Sequence, residues 1–142
     1  MSVRKRILLV DDDESLRGAL VEQLTLHEEF EVSVSGTGQE ALERAKEDTF
    51  DMVLLDVGLP DIHGREVCRL LRRANVSVPV IMLTGADSDA EQILGLDSGA
   101  NDYVTKPFRL GVLFARMRAQ LRQHEQSEDA TFAIGPYSFR PA

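Results

Sequence analysis

The chain has 142 residues, 43% of them hydrophobic, enough for one globular domain with a full core. Its formal charge of −8 argues against direct affinity for a nucleic-acid backbone or an anionic membrane surface. The single cysteine, Cys68, excludes an intramolecular disulfide and fits a reducing cytoplasm, no apolar run reaches the ~20 residues of a membrane span, and MSVRKRILLV is too short in apolar residues for a signal peptide.

Residues 7–10 (ILLV) are the first predicted strand. Asp13 or Ser15 offers an N-cap for a first helix striped by Leu16, Ala19, Leu20 and Leu24. Residues 30–34 (FEVSV) alternate, which predicts an edge strand. Ala41, Leu42 and Ala45 mark a weaker second helix. Residues 52–55 (MVLL) are the third strand, and Val67, Leu70, Leu71 and Ala74 stripe the third helix, with Cys68 as a small buried hydrophobe. Residues 78–83 (VPVIML) carry the fourth strand. A fourth helix is marked by Ala90, Ile93 and Leu96 and closed by Gly99. Tyr103 and Val104 are the fifth strand, and Leu110, Leu113, Phe114, Met117 and Leu121 stripe the fifth helix. Residues 123–130 are polar and charged and read as a linker. Residues 131–142 place Phe132, Ile134, Tyr137 and Phe139 around Gly135-Pro136, which reads as the opening of a hairpin in a second domain.

Five strands alternating with five helices predict an α/β, doubly wound parallel sheet. Stretches 7–10, 52–55 and 80–83 lack alternation, as central strands covered on both faces do. Such sheets bind ligands beyond the carboxyl ends of their strands. That rim collects Asp11, Asp12 and Asp13 after the first strand, Asp56 after the third, Thr84 after the fourth and Lys106 after the fifth. Asp11, Asp12 and Asp56 bring three negative charges, which a divalent cation and the Lys106 ammonium balance. Hard carboxylate oxygens suit Mg²⁺, with Mn²⁺ as an alternative. Without a metal the clustered carboxylates raise one another's pKa.

LLVDDDES, VLLDVGLPDIHG, VIMLTGAD and GANDYVTKPF, in this order and spacing, resemble the receiver domain of two-component response regulators, over residues 4 to about 122. The tail ATFAIGPYSFRPA is similar to the start of the winged-helix DNA-binding domain of OmpR/PhoB-type regulators. The resemblance implies a five-stranded flavodoxin-like sheet of order 2-1-3-4-5. It implies a receiver over 1–122, a linker over 123–130 and the start of an effector domain over 131–142. Asp56 would accept a phosphoryl group from the phosphohistidine of a sensor histidine kinase. Asp12, Asp56 and the backbone carbonyl of Gly58 would bind Mg²⁺, Asp11 mainly through a water. Lys106 and Thr84 would meet phosphoryl oxygens, and Asp13 would start the first helix. Thr84 and Tyr103 would form the switch, and Lys106-Pro107 resembles the family's cis peptide. The surface of the fourth helix, fifth strand and fifth helix would form a phosphorylation-dependent homodimer, with charges at Asp97, Asp102, Arg116 and Arg122. Gln92, Asn101 and Val112 stand where the family often has charges, which implies weaker dimerisation. Gly58 and Ala86 replace the polar side chains of members that shed phosphate quickly, implying a long-lived phosphoryl-aspartate. DNA would be bound only through the C-terminal domain. The protein would be a cytoplasmic switch, with no membrane contact and no turnover of an external metabolite.

Three rival readings fit the sequence less well. GTGQEA at 36–41 satisfies a dinucleotide-binding pattern, with Asp56 near the ribose-binding position, but it follows an edge strand and lies near an acidic rim that repels pyrophosphate. A phosphohydrolase of the aspartyl-phosphate type usually wants a second acid at position 58, which is glycine. A receiver fold that has lost phosphorylation conflicts with the intact acid set. His27, His63 and His124 are too dispersed for a metal set, and Arg109, Arg116, Arg118 and Arg122 read as a solvated helix face.

Overall fold

Five parallel strands form one sheet in the order β2-β1-β3-β4-β5: β1 (Lys5–Val10), β2 (Phe30–Ser35), β3 (Met52–Asp56), β4 (Val80–Thr84) and β5 (Asp102–Thr105). This computed structural model describes the backbone of residues 4–85, 93, 96–107 and 109–134, and side chains as far as residue 127. Helices α1 (Glu14–Thr25), α2 (Gly38–Glu47) and α3 (Gly64–Arg73) connect the strands, and a C-terminal helix spans Leu110–Ile134. The alternating stretch is the edge strand β2, as expected, and the three unalternating stretches are the central strands.

Ile7, Leu9, Met52, Leu54, Ile81 and Leu83 face one way, against Leu20 and Leu24 of α1 and Leu113, Phe114, Met117 and Leu121 of the C-terminal helix. Leu8, Val10, Val53, Leu55, Val80 and Met82 face the other way, against Ala41 and Leu42 of α2 and Val67, Cys68 and Leu71 of α3. Two covered faces explain why the stretches 7–10, 52–55 and 80–83 are apolar at every position.

The structure decides some local expectations and corrects others. Asp13, not Ser15, caps α1: its Oδ1 accepts from Leu16 N at 3.1 Å. Ala19 is exposed, because the buried stripe runs along the i, i+4 line of Leu16, Leu20 and Leu24. Ala74 is exposed too, since α3 ends there and Asn75 takes φ 65°, a left-handed stop. The stretch 123–130, expected as a linker, is helical, and so are residues 131–134, where a strand was expected. Gln, Glu, Arg and Ala are good helix formers, and Glu125 is tied to the sheet by an ion pair with Lys5. Of the fourth predicted helix, Ile93, Leu96 and Asp97 are helical, and Gly99 follows at φ +108° with its N–H on Leu96 O. Ala90, Ala86, Gln92 and residues 135–142 lie outside the described residues.

Candidate functional site

Strand register sets the crevice. Val10 pairs with Ser35 on one side and Leu55 on the other, Asp56 with Leu83, and Thr84 with Thr105. The chain leaves β1 toward β2 on one side while β3 lies on the other, so the ends of β1 and β3 flank a topological switch point. Asp11 and Asp56 stand there.

Asp11 is fully buried and Asp56 is 7% exposed. Lys106 Nζ lies 3.1 Å from Asp11 Oδ2 and 3.2 Å from Asp56 Oδ1, bridging the two acids. Asp13 N donates to Asp11 Oδ1 at 2.9 Å, and Arg17 Nη1 donates to the Asp11 carbonyl at 2.8 Å. Asp12 is exposed at the mouth. Asp11, Asp12 and Asp56 each offer a carboxylate oxygen, all within 4.8 Å of one another. Among the described residues they are the one group of histidines, cysteines and acids close enough to share a metal ion.

Burial pushes the Asp56 carboxyl up from its ordinary value, and the Asp11 charge adds to this. Lys106 and a hydrogen bond from the Gly58 N–H pull the other way without cancelling it. For Lys106, burial favours the neutral amine, but the bonds and charges of Asp11 and Asp56 outweigh it and its pKa is raised. The crevice thus holds one firmly charged ammonium against three acids, two of them buried. Oxygen-only donors with an excess of negative charge fit a hard divalent cation.

The remaining expected residues lie around this centre. Thr84, 5% exposed, ends β4, and its carbonyl accepts from Lys106 N at 2.6 Å. The Lys106-Pro107 peptide is cis. The Gly58 peptide reaches Asp56 through its N–H. Tyr103 is half-buried on β5 and helps line a groove of about 390 Å³ with Leu96, Asp102, Val112 and Arg116. Arg116 pairs with Asp102 at 3.0 Å within the same chain, and Asp97 and Arg122 are exposed. His63 caps α3, its Nδ1 accepting from Arg65 N, and His27 packs edge-on against Phe114. Neither histidine joins the crevice group.

The reading of residues alone missed three side chains. Arg17 holds the β1–α1 turn through Asp11 O. Arg72 ties α3 to the turn that feeds β5. Asp61 caps α2 from the loop after β3. Each acts mainly on backbone outside its own element, which leaves no periodic signal. The Asp61 bonds also settle GTGQEA, because the first N–H groups of α2 are taken by Asp61 and Thr37 rather than left for a phosphate.

Residues 7–118 match the model of the response regulator receiver domain. The DNA-binding response regulator MtrA of Mycolicibacterium smegmatis is 45% identical over 137 residues, which covers 94% of this chain and 58% of that protein. The uncharacterised transcriptional regulatory protein YkoG of Bacillus subtilis is 49% identical over 119 residues, covering 83% and 51%. The chain thus spans little more than half the length of these relatives. The BeF3-activated receiver domain of Klebsiella pneumoniae RstA superimposes with a TM-score of 0.78 at 37% identity, covering 83% of this chain and 99% of that one. DrrB of Thermotoga maritima, an OmpR/PhoB homolog, gives 0.77 at 35% identity, covering 86% and 54%. With this fold, this acidic rim and a family match over most of its length, the chain belongs to the receiver domains of response regulators.

Proposed function

We propose that the chain is a phosphoacceptor switch in which Asp56 takes a phosphoryl group from the phosphohistidine of a sensor histidine kinase. The observation that carries this reading is the Lys106 ammonium held at 3.1 and 3.2 Å from two buried acids, with Asp12 completing a three-carboxylate group. An Asp56 oxygen attacks phosphorus, the new O–P bond forms as the P–N bond to imidazole breaks, and the imidazole leaves with the electron pair. Asp12, Asp56 and the Gly58 carbonyl would hold Mg²⁺, with Asp11 behind a water, and the ion would supply positive charge to the transferred phosphoryl group. Lys106 exchanges its bond to Asp56 for one to a phosphoryl oxygen, and the Thr84 hydroxyl donates to another. The crevice needs no separate base, because the nucleophile is already a carboxylate.

Movement of Thr84 toward the phosphoryl group lets Tyr103 turn inward and reshapes the groove between Leu96 and Arg116. That face then pairs with a second copy through Asp97, Asp102, Arg116 and Arg122. The pairing is weak, because Gln92, Asn101 and Val112 lack charge and Arg116 already holds Asp102 internally. The receiver covers residues 1–122, its C-terminal helix carries the chain onward through residues 123–134, and the stretch 131–142 leads into a winged-helix DNA-binding domain through which transcription is controlled in the cytoplasm. Gly58 and Ala86 cannot orient a hydrolytic water with their side chains, so the phosphoryl-aspartate is comparatively long-lived, and a half-life of seconds in the purified protein contradicts this.

Intact-mass spectrometry after incubation with acetyl phosphate and Mg²⁺ tests the reading. One added phosphoryl group on the wild type, lost in Asp56→Asn and lost with EDTA, is the expected result. No adduct, with beryllofluoride also failing to bind, overturns it.

A further inference from the structure

We infer that Asp61 is a positioning residue for the acidic crevice: by capping α2 across the carboxyl rim it fixes the loop that brings the Gly58 peptide to Asp56. Residues 57–63 join β3 to α3. The base of this loop is closed by Gly64 N on Val57 O at 2.8 Å. Its far end is pinned to another element. Gly38 N donates to Asp61 Oδ1 at 2.8 Å and Gln39 N to Asp61 Oδ2 at 2.9 Å, so both carboxylate oxygens are engaged. The next two N–H groups of α2 belong to Thr37: Glu40 N to Thr37 Oγ1 and Ala41 N to Thr37 O, each at 3.1 Å. Thr37 and Asp61 therefore divide the helix end between a local cap and a tether.

The tether is packed as well as bonded. A Cβ on Gly38 would stand 2.8 Å from Val67 Cγ2 and 3.1 Å from Ile62 Cβ, so the glycine lets loop and helix touch. Gly58 lies between the two anchors, three residues from Asp61, and its N–H is on the Asp56 carboxylate. Asp61 does not join the metal-capable group, and its charge is spent on the positive end of α2. Its influence on a cation in the crevice runs through the position of the Gly58 peptide rather than through charge. Groups that orient ligands in this way have large effects on metal affinity.

This inference rests on the metal-dependent reading above, and the test separates the two. Mn²⁺ is titrated against the 142-residue chain by electron paramagnetic resonance, for wild type, Asp61→Ala, Asp61→Asn and Thr37→Ala. Amide exchange of residues 58–62 is followed in the metal-free proteins. Asp61→Ala is expected to weaken Mn²⁺ on the order of 10-fold and to speed exchange in the loop. Asp61→Asn, which keeps one acceptor but sets an amide donor against the other N–H, weakens it less and serves if the alanine variant fails to fold. Thr37→Ala lowers Tm through the same helix end but binds Mn²⁺ as the wild type does. Unchanged affinity in the folded Asp61 variants, or an equal loss in Thr37→Ala, overturns the positioning role while leaving the phosphoacceptor reading intact. A wild type that does not bind Mn²⁺ overturns the functional reading, and this inference with it.

Discussion

Asp56 works against the metal-free fold. Its carboxyl is pushed above the ordinary value, first by burial and then by Asp11, so its native-state pKa exceeds the unfolded one. A group shifted that way contributes stability that is fully present below the unfolded pKa, about 4, and is lost as pH rises through the native value. At pH 7 the ionised Asp56 therefore costs stability. Asp56→Asn should raise Tm in EDTA at pH 7, and the gain should vanish below about pH 4; a pH series of melting curves checks both. Lys106 is shifted in the same direction, raised by Asp11 and Asp56 against the burial that favours the neutral amine, so while those acids stay ionised it stabilises the fold below about pH 10.4 and loses that contribution as pH rises through its native value. Arg72 makes a different kind of bond. Its Nε reaches Gly99 O at 3.1 Å, Nη1 reaches Val76 O at 2.8 Å and Val78 O at 2.7 Å, and Nη2 reaches Gly99 O and Asn101 Oδ1, each at 2.8 Å. Asn101 Oδ1 also accepts from Val80 N at 2.9 Å, so one guanidinium and one amide join α3, β4 and the approach to β5. A lysine has three donors and no planar fork, so Arg72→Lys should cost about 2–3 kcal/mol in urea unfolding.

At the level of elements, what was readable was whatever had a period or a run. The central strands announced themselves because both faces are covered, and the edge strand because one face is not. The C-terminal helix was readable as far as Leu121, its last buried stripe residue, since beyond that point no apolar face separates helix from linker. There local propensity, and the Lys5–Glu125 pair that joins residues far apart in sequence, carry the helix onward. Close approaches between elements were not readable. Gly64 opens α3 against the end of β3, where a Cβ would fall 2.6 Å from the Asp56 carbonyl oxygen and 2.7 Å from Val57 Cα. Both obstacles are backbone and cannot rotate away. Gly64→Ala should therefore destabilise by about 1–3 kcal/mol and slow phosphorylation at Asp56, whereas Gly18→Ala, exposed inside α1 with open space at its Cβ, should stabilise by about 0.5–1 kcal/mol.

Across the whole molecule, parallel topology made the site legible. Five strands running one way put the residues that follow them on one rim, so Asp11, Asp12, Asp56, Thr84 and Lys106 converge although 95 positions separate the first from the last. The supports of that site, Arg17, Asp61 and the Arg72–Asn101 pair, stayed hidden because side-chain bonds that leave their own element follow no spacing rule. The same convergence gives the fold a reason to depend on a cation. The chain carries a formal charge of −8, and three of its acids crowd one crevice against a single ammonium. A divalent ion that binds only the assembled crevice stabilises the native state by mass action, about 2.7 kcal/mol at 100 times its Kd. For a chain of this length that corresponds to a Tm rise of roughly 9 °C. The rise should be seen by calorimetry with saturating Mg²⁺ and should be lost in Asp12→Ala, which removes a carboxylate from the exposed mouth without opening the core. NaCl at matched ionic strength screens surface charge but does not coordinate the three acids, so it should move Tm far less. An equal rise with NaCl would mean that relief of general charge repulsion, not coordination at the crevice, stabilises the protein.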